Sequence, residues 1–187
     1  LLDTSGHNSH LLYANTGDDP IADVTWHDGL AWLAEEPGGR IVHLWSLDAT
    51  PTAETTAESL LVDQANLCGS VLRLVQAIDR ASHTNLPRLW LVTQGAQSVL
   101  PDGEPLAVSQ SSLWGLGRVI ALEHSDLWGG QVDLDLAANL ENAARMLLTT
   151  VTGTAAESLV AFRQNKQYVA PLVQAELEGE TPLCLQA

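Results

Sequence analysis

The sequence predicts an α/β domain with a mostly parallel sheet that is flanked by helices and ends in a C-terminal β-hairpin. Three short apolar runs, around residues 42, 91 and 133, alternate with amphipathic helical patterns. This alternation is typical of βαβ units, in which crossover helices join parallel strands. Two adjacent strand patterns near the end of the chain predict the hairpin.

The first 39 residues predict one strand, one loop and one helix. Residues 1–12 predict a short strand that enters a turn, and residues 15–20 a loop. Residues 23–36 predict a helix, because apolar residues recur at spacings of four and three before the breaker Pro37-Gly38-Gly39.

Three compact apolar runs predict buried strands of a parallel sheet. They cover residues 40–46, 89–93 and 131–135. Two shorter patterns, residues 159–162 and 167–172, predict strands that pair around Gln164-Asn165.

Helical spacing predicts the crossovers between these strands. The clearest pattern follows Thr55 and Thr56, either of which is a suitable N-cap. Its core positions are Leu60, Gln64, Leu67, Val71, Leu74 and Ile78. Residues 109–123 and 136–150 predict two more helices. With right-handed crossovers, these units give a doubly wound, Rossmann-like core.

Length and charge limit the functional classes. A chain of 187 residues fits one domain of ordinary size. Its 23 acidic and 8 basic residues give a formal charge of −15, which disfavours binding to nucleic acid or to an anionic membrane. No apolar run approaches the roughly 18 residues of a membrane span. The chain opens in mid-pattern without a Met, so we expect a piece of a larger polypeptide.

The two cysteines, Cys68 and Cys184, make no disulfide framework, and a reducing cytoplasm is the default location. Cys68 lies in a helical pattern and is predicted to be a small buried hydrophobe.

Glycine patterns argue against a dinucleotide site. The turn after the first predicted strand contains only Gly6, whereas a dinucleotide fold needs several glycines there so that the backbone can approach the pyrophosphate. The other pair, Gly115 and Gly117, lies inside a helical pattern. It predicts close packing of that helix against its neighbour.

Catalytic and metal-binding patterns are also weak. A short-chain reductase needs a Tyr and a Lys one helical turn apart, but Tyr13 has no nearby lysine, and Lys166 and Tyr168 share a strand pattern. His7 and His10 lack further metal ligands at typical spacing. Glu123-His124 follows a helix end, where such a pair more often caps the helix than performs acid–base chemistry. The sequence contains no Gly-x-Ser-x-Gly elbow for a hydrolase.

Four strings resemble the structural subdomain of the ketoreductase region of modular polyketide synthases. The most specific is SLWGLGRVIALEH at residues 112–124. The others are HLWSLD at 43–48, LWLVTQGA at 89–96 and LWGGQVDL at 127–134. Their order and spacing agree with that family over residues 40–172, whereas residues 1–39 match poorly.

The resemblance implies a truncated Rossmann-like subdomain without catalysis. In this family, NADPH and the catalytic residues belong to a second half, so no catalytic, cofactor-binding or metal-binding residue transfers to this chain. It implies a structural subdomain over residues 1–176 and a linker over 177–187. The partners it implies are the catalytic ketoreductase half and adjacent enoylreductase, dehydratase or methyltransferase domains.

The function predicted from the resemblance is architectural, within polyketide assembly. Trp114, Leu116, Arg118 and Trp128 are the predicted interdomain packing residues, although the tryptophans equally suit the domain's own core. A pseudo-ketoreductase scaffold beside a methyltransferase or enoylreductase is one alternative. A free-standing NADPH-dependent short-chain reductase is another. A module that docks a carrier protein is disfavoured by the acidic charge.

Overall fold

The computed structural model describes residues 38–81, 86–100, 103, 105–153 and 157–171. The elements predicted within residues 1–37 and the linker 177–187 lie outside these ranges. One sheet contains β1 (Arg40–His43), β2 (Arg88–Gln94), β3 (Trp128–Leu134), β4 (Leu159–Arg163) and β5 (Lys166–Val169). The helices are α1 (Ala57–Arg80), α2 (Val108–Glu123) and α3 (Leu140–Thr152), with short 3-10 helices at Trp45–Asp48 and Thr52–Glu54.

The strands lie in sequence order, β1-β2-β3-β4-β5. The first four are parallel, and β5 returns antiparallel to β4. The turn residues Gln164 and Asn165 have φ of 52° and 61°, the left-handed conformation that two-residue hairpins require. The mostly parallel sheet and the hairpin are therefore confirmed. The last strand is shorter than predicted because it ends before Pro171, which has no N–H to donate.

The predicted helix after Thr55-Thr56 is confirmed as α1. Thr56 is its N-cap: the Thr56 hydroxyl accepts a hydrogen bond from the backbone N–H of Ser59, and the Ser59 hydroxyl accepts one from the N–H of Thr56. The apolar spacing buries one side of the helix. The buried apolar residues of α1 are Leu67, Val71, Leu74, Val75 and Ile78.

Two apolar clusters lie on opposite faces of the sheet. Alternate residues of β2 point to opposite faces, so Leu89 and Leu91 join one cluster with α1 and α2, whereas Trp90 and Val92 join the other with α3. Because β2 is buried on both faces, its sequence is continuously apolar, as predicted for a parallel strand.

One crossover departs from the predicted right-handed rule. The strand order advances in one direction from β1 to β4, yet α1 and α2 pack on one face and α3 on the other. The connection β3–α3–β4 must therefore have the opposite handedness from β1–α1–β2 and β2–α2–β3. The prediction that all crossovers share one hand is wrong for this unit.

Several element boundaries also differ from the predictions. β1 ends at His43 rather than at Ser46, because the Ser46 hydroxyl donates to the carbonyl of Val92 and the chain turns there into a 3-10 helix. The last helix begins at Leu140 rather than at residue 136. The Asn139 side chain caps it by accepting a hydrogen bond from the N–H of Asn142.

β3 begins earlier than predicted, at Trp128, because a β-bulge continues the strand. Leu89 pairs with Trp128 and Trp90 pairs with Gly130, which leaves Gly129 as the extra residue. The ring of Trp90 lies against both glycines and leaves no room for a Cβ atom at either position.

The prediction that the two helical glycines allow close packing is confirmed for one of them. A Cβ atom at Gly117 would lie 2.5 Å from Oε1 of Gln131 and 2.9 Å from the ring of Trp128. Gln131 is fully buried, and its Nε2 donates to the carbonyl of Leu113. A Cβ atom at Gly115, by contrast, would meet nothing within 4 Å.

These two glycines give a matched test of the packing of α2 on β3. We expect Gly117→Ala to lower the free energy of unfolding by about 1–3 kcal/mol, since the added Cβ would displace the buried Gln131 side chain from its hydrogen bond to Leu113. Gly115→Ala should raise this free energy by up to about 1 kcal/mol through helix propensity. Urea denaturation measures both values. Equal effects at the two positions would contradict the close approach at Gly117.

His43 lies buried at the end of β1, against α1. Its Nε2 is 2.9 Å from the hydroxyl of Ser70, which itself donates to the carbonyl of Leu67 at 2.8 Å. The ring of Trp45 packs beside it at 5.4 Å between centroids. Burial lowers the pKa of His43 from 6.5 to about 4, and the polar groups of its own backbone oppose a small part of this shift.

This lowered pKa predicts an acid-sensitive fold. Protonation of His43 favours the unfolded chain, so its contribution to stability is complete above pH 6.5 and is lost as the pH falls toward 4. We expect His43→Gln, which cannot titrate, to remove about 2 kcal/mol of the difference between the unfolding free energies at pH 7 and pH 5. Denaturation at both pH values measures it. An unchanged difference in the variant would show that His43 does not carry this dependence.

Candidate functional site at the carboxyl ends of the strands

The topology creates one candidate ligand position in the described part of the chain. After β2 the chain continues to α2 on one face of the sheet, and after β3 it continues to α3 on the other. Where adjacent connections leave a parallel sheet on opposite faces, a crevice forms at the carboxyl ends of the strands. Parallel α/β folds bind their ligands at such a point.

The side chain of Asp133 fills this position. Val132 and Leu134 face α3, so the intervening Asp133 faces the opposite side, beneath the loop that follows β2. Asp133 is fully buried. Its Oδ1 accepts hydrogen bonds from the Thr93 hydroxyl at 2.6 Å and the N–H of Ala96 at 2.9 Å. Its Oδ2 accepts one from the N–H of Gln97 at 3.1 Å.

Arg163, at the end of β4, neutralises this carboxylate. Its side chain is 1% exposed, and its guanidinium donates to Oδ2 of Asp133 at 2.6 Å. It also donates to three backbone carbonyls, those of Gln97 at 2.7 Å, Phe162 at 2.7 Å and Leu134 at 3.3 Å. Asp133, Arg163, Thr93, Ala96 and Gln97 together form what we call the carboxyl-end cluster.

Neighbouring groups extend the cluster to α2. The indole N–H of Trp114 donates to the Thr93 hydroxyl at 3.0 Å, so Thr93 both donates and accepts.

Asp135, two residues beyond Asp133, binds the turn of the β4–β5 hairpin at the carboxyl end of the sheet. Its carboxylate accepts hydrogen bonds from the N–H of Gln164 at 2.7 Å and the N–H of Ala137 at 2.9 Å. The chain's own side chains therefore close the carboxyl ends of β2, β3 and β4.

This arrangement does not fit a dinucleotide such as NADPH. The backbone amides that would approach a phosphate, on Ala96 and Gln97, are paired with Asp133, and so is the guanidinium of Arg163. Four buried side-chain atoms without a partner occur in the described ranges, on His43, Trp90, Ser109 and Gln131. None of them belongs to the carboxyl-end cluster, so its buried side-chain donors and acceptors are already paired within the domain.

The other sequence-predicted chemistry finds little geometric support. Tyr13, His7, His10 and the turn at Gly6 lie outside the described residues. Lys166 and Tyr168 share β5, as the strand pattern predicts. His124 is the C-cap of α2, and its backbone N–H donates to the carbonyl of Ile120. Among the described residues, no group of three or more His, Cys, Asp or Glu side chains is arranged to hold a metal ion.

Cys68 is half-buried rather than fully buried, and it lies where α1 and α2 meet. Its sulfur is 3.4 Å from the hydroxyl of Ser112. Cys184 lies beyond the described ranges. No helix in the described part of the chain is both long enough and apolar enough to cross a membrane.

The four predicted packing residues occupy different environments. Trp114 is buried and hydrogen-bonded within the domain, so it follows the alternative interpretation as a core residue. Leu116 and Trp128 are half-buried against the cluster beneath α1 and α2. Arg118 is exposed on α2.

Sequence reasoning misses the central pair of the site. The strand pattern places Asp133 in a strand and gives it no further role, and no motif singles out Arg163. The available signal is the position of each charge beside apolar residues of a buried strand, VDL at residues 132–134 and VAFR at 160–163. A charge in a buried strand needs a partner of opposite sign.

The chain matches a known family over most of its length. The family model is the Rossmann fold domain of the polyketide synthase extender module SpnB, and it matches residues 12–172. The chain is 38% identical over 117 residues to a phenolphthiocerol/phthiocerol polyketide synthase of Mycobacterium tuberculosis. This alignment covers 62% of the chain and 8% of that protein.

A second relative is the polyketide synthase GfsA of Streptomyces halstedii, with 45% identity over 104 residues. The alignment covers 56% of the chain and 1% of GfsA. The chain thus spans a small part of the length of these relatives.

Solved structures of ketoreductases share the fold. A C2-type ketoreductase from a modular polyketide synthase superposes with a TM-score of 0.68 at 30% identity, covering 97% of this chain and 38% of that structure. A-type ketoreductases from a modular polyketide synthase give a TM-score of 0.56 at 29% identity, covering 80% of this chain and 31% of theirs. The truncated Rossmann-like fold and the family resemblance are both confirmed. The chain belongs to the Rossmann fold domain family of polyketide synthase extender modules and is a ketoreductase-related subdomain of a modular polyketide synthase.

Proposed function

We propose that this chain is a non-catalytic scaffold that supports the ketoreductase, the NADPH-dependent β-keto reductase, of its synthase. The observation that carries this proposal is an apolar surface on α1 and α2 that the described part of the domain leaves uncovered. Apolar surface of this kind marks sites of protein–protein contact.

The uncovered surface follows helical spacing on both helices. It runs beside the contact between Cys68 and Ser112, where α1 and α2 meet. We call it the outer face. Its members are Leu61, Ala65 and Leu72 of α1, and Val108, Gly115, Val119 and Leu122 of α2. Leu122 and Leu61 are 85% and 68% exposed. Apolar residues at helical spacing usually form a stripe that faces a core, so a stripe this exposed is unusual.

Gly115 adds a reason to expect a partner on this face. A glycine in an exposed helix interior costs about 0.5–1 kcal/mol relative to alanine. A Cβ atom at Gly115 would meet nothing within 4 Å, so packing inside this domain does not require a glycine there. A glycine is useful at that position if another element approaches α2 closely.

The occupant we assign to the outer face is the catalytic half of a ketoreductase. The chain covers 38% of the C2-type ketoreductase structure that it matches, so a larger part of that protein has no counterpart here. The exposed Arg118 lies beside the outer face and suits the polar rim of such an interface.

In this scheme, NADPH and the reacting groups belong to the catalytic half, and this chain contributes rigid packing. The filled carboxyl-end cluster supports this division, since its donors and its cation are already paired with Asp133. Adjacent synthase domains are further partners that the resemblance implies.

Binding between this chain and the separately produced catalytic half of the same synthase tests the proposal. We expect Leu122→Asp to raise the Kd at least tenfold, because the substitution removes a buried leucine from the interface and adds a charge without a partner. Titration calorimetry measures the Kd directly.

Leu140→Asp is the matched control. Leu140 is 86% exposed, but it lies at the first turn of α3, on the opposite face of the sheet, where an aspartate also suits the helix N-terminus. The control should bind with the wild-type Kd. Weakened binding by Leu140→Asp together with unchanged binding by Leu122→Asp would place the interface elsewhere and contradict the proposal.

A further inference from the structure

The carboxyl-end cluster has the composition of an anion-binding site. Gly95 has a φ of +69°, a left-handed conformation that turns the next two amides, those of Ala96 and Gln97, toward one point. Successive backbone N–H groups arranged in this way form a concavity that binds anions. The Thr93 hydroxyl and the Arg163 guanidinium point at the same place, each at 2.6 Å from a carboxylate oxygen.

The cluster also lies where the fold provides for a ligand. It sits at the carboxyl ends of β2 and β3, from which the chain leaves to opposite faces of the sheet. Two amides, one hydroxyl and one guanidinium thus surround a single carboxylate, and that carboxylate comes from β3 instead of from a bound molecule.

We infer that this position is an anion site that the chain occupies with its own Asp133. The chemical class that fits the site is a small carboxylate, of the size of the Asp133 carboxyl group. Since every donor is satisfied internally, the wild-type chain takes no such anion, and removal of the Asp133 carboxyl group opens the site. The inference concerns the domain alone and does not depend on a partner at the outer face.

The experiment is chemical rescue of Asp133→Ala in the 187-residue chain by sodium formate, the free counterpart of the deleted group. In 100 mM sodium chloride we expect the variant to melt well below the wild type, because Arg163 is left buried without its carboxylate. Replacing the chloride with 100 mM formate should raise the Tm of the variant by about 3 °C or more. The wild type should show no difference between the two salts.

The double variant Asp133→Ala/Arg163→Met is the matched control, because it keeps the cavity and the amides but lacks the cation. It should not respond to formate. A response of equal size in the wild type or in the double variant would mean a general salt effect and would overturn the inference, as would a single variant that melts at the same temperature in both salts.

If Asp133→Ala does not fold in chloride, its refolding yield is compared in formate and in chloride. Recovery of the folded chain only in formate supports the inference, and no recovery in either salt contradicts it. Neither result bears on binding to the catalytic half, since Leu122 and the outer face are unchanged in these variants.

Discussion

The buried ion pair between Asp133 and Arg163 is the interaction on which the carboxyl edge of this domain depends. Removing two charges from water is expensive, and only good geometry with further hydrogen bonds offsets it. Here the carboxylate accepts four hydrogen bonds, from Thr93, Ala96, Gln97 and Arg163. The guanidinium in turn donates to three backbone carbonyls. The loss of either partner would leave a buried charge uncompensated. The pair therefore holds β3, β4 and the loop after β2 in fixed positions relative to one another.

The pair also bears on the proposed architectural role, because it occupies the position at which this topology would place a ligand. The topology places a crevice between the connections that follow β2 and β3, and the pair fills it with the chain's own groups. The apolar surface that the described residues leave exposed lies elsewhere, on the outer face of α1 and α2. We expect a scaffold within a multidomain enzyme to have both features: a carboxyl edge that is filled by its own side chains and an apolar helical surface that is exposed for a partner.

Sequence periodicity predicts two kinds of element: helices that bury one side and strands that are buried on both faces. α1 follows from its apolar spacing and from Thr56, and β2 from its continuous apolar run, because each pattern reports how a segment meets the core. The handedness of the third crossover could not be predicted in this way. The apolar residues of α3 show that one side of the helix is buried, but they do not show which face of the sheet it covers.

The candidate site is harder to predict from the sequence than the helices and strands, because it depends on contacts between residues that are far apart in the chain. Asp133 and Arg163 are 30 residues apart, and their pairing follows from the adjacency of β3 and β4. Trp114 shows the same limit. Its helical position fits either a core or an interface, and its burial and its hydrogen bond to Thr93 are features of the folded structure that the helical pattern does not give.

Titration of the isolated 187-residue chain with NADPH, followed by the fluorescence of the nucleotide, tests the central claim most directly. A scaffold whose carboxyl edge is filled by Asp133 and Arg163 should leave the NADPH fluorescence unchanged at every concentration of the chain. Saturable binding with one NADPH per chain would contradict the claim, because it would require a dinucleotide site within this chain.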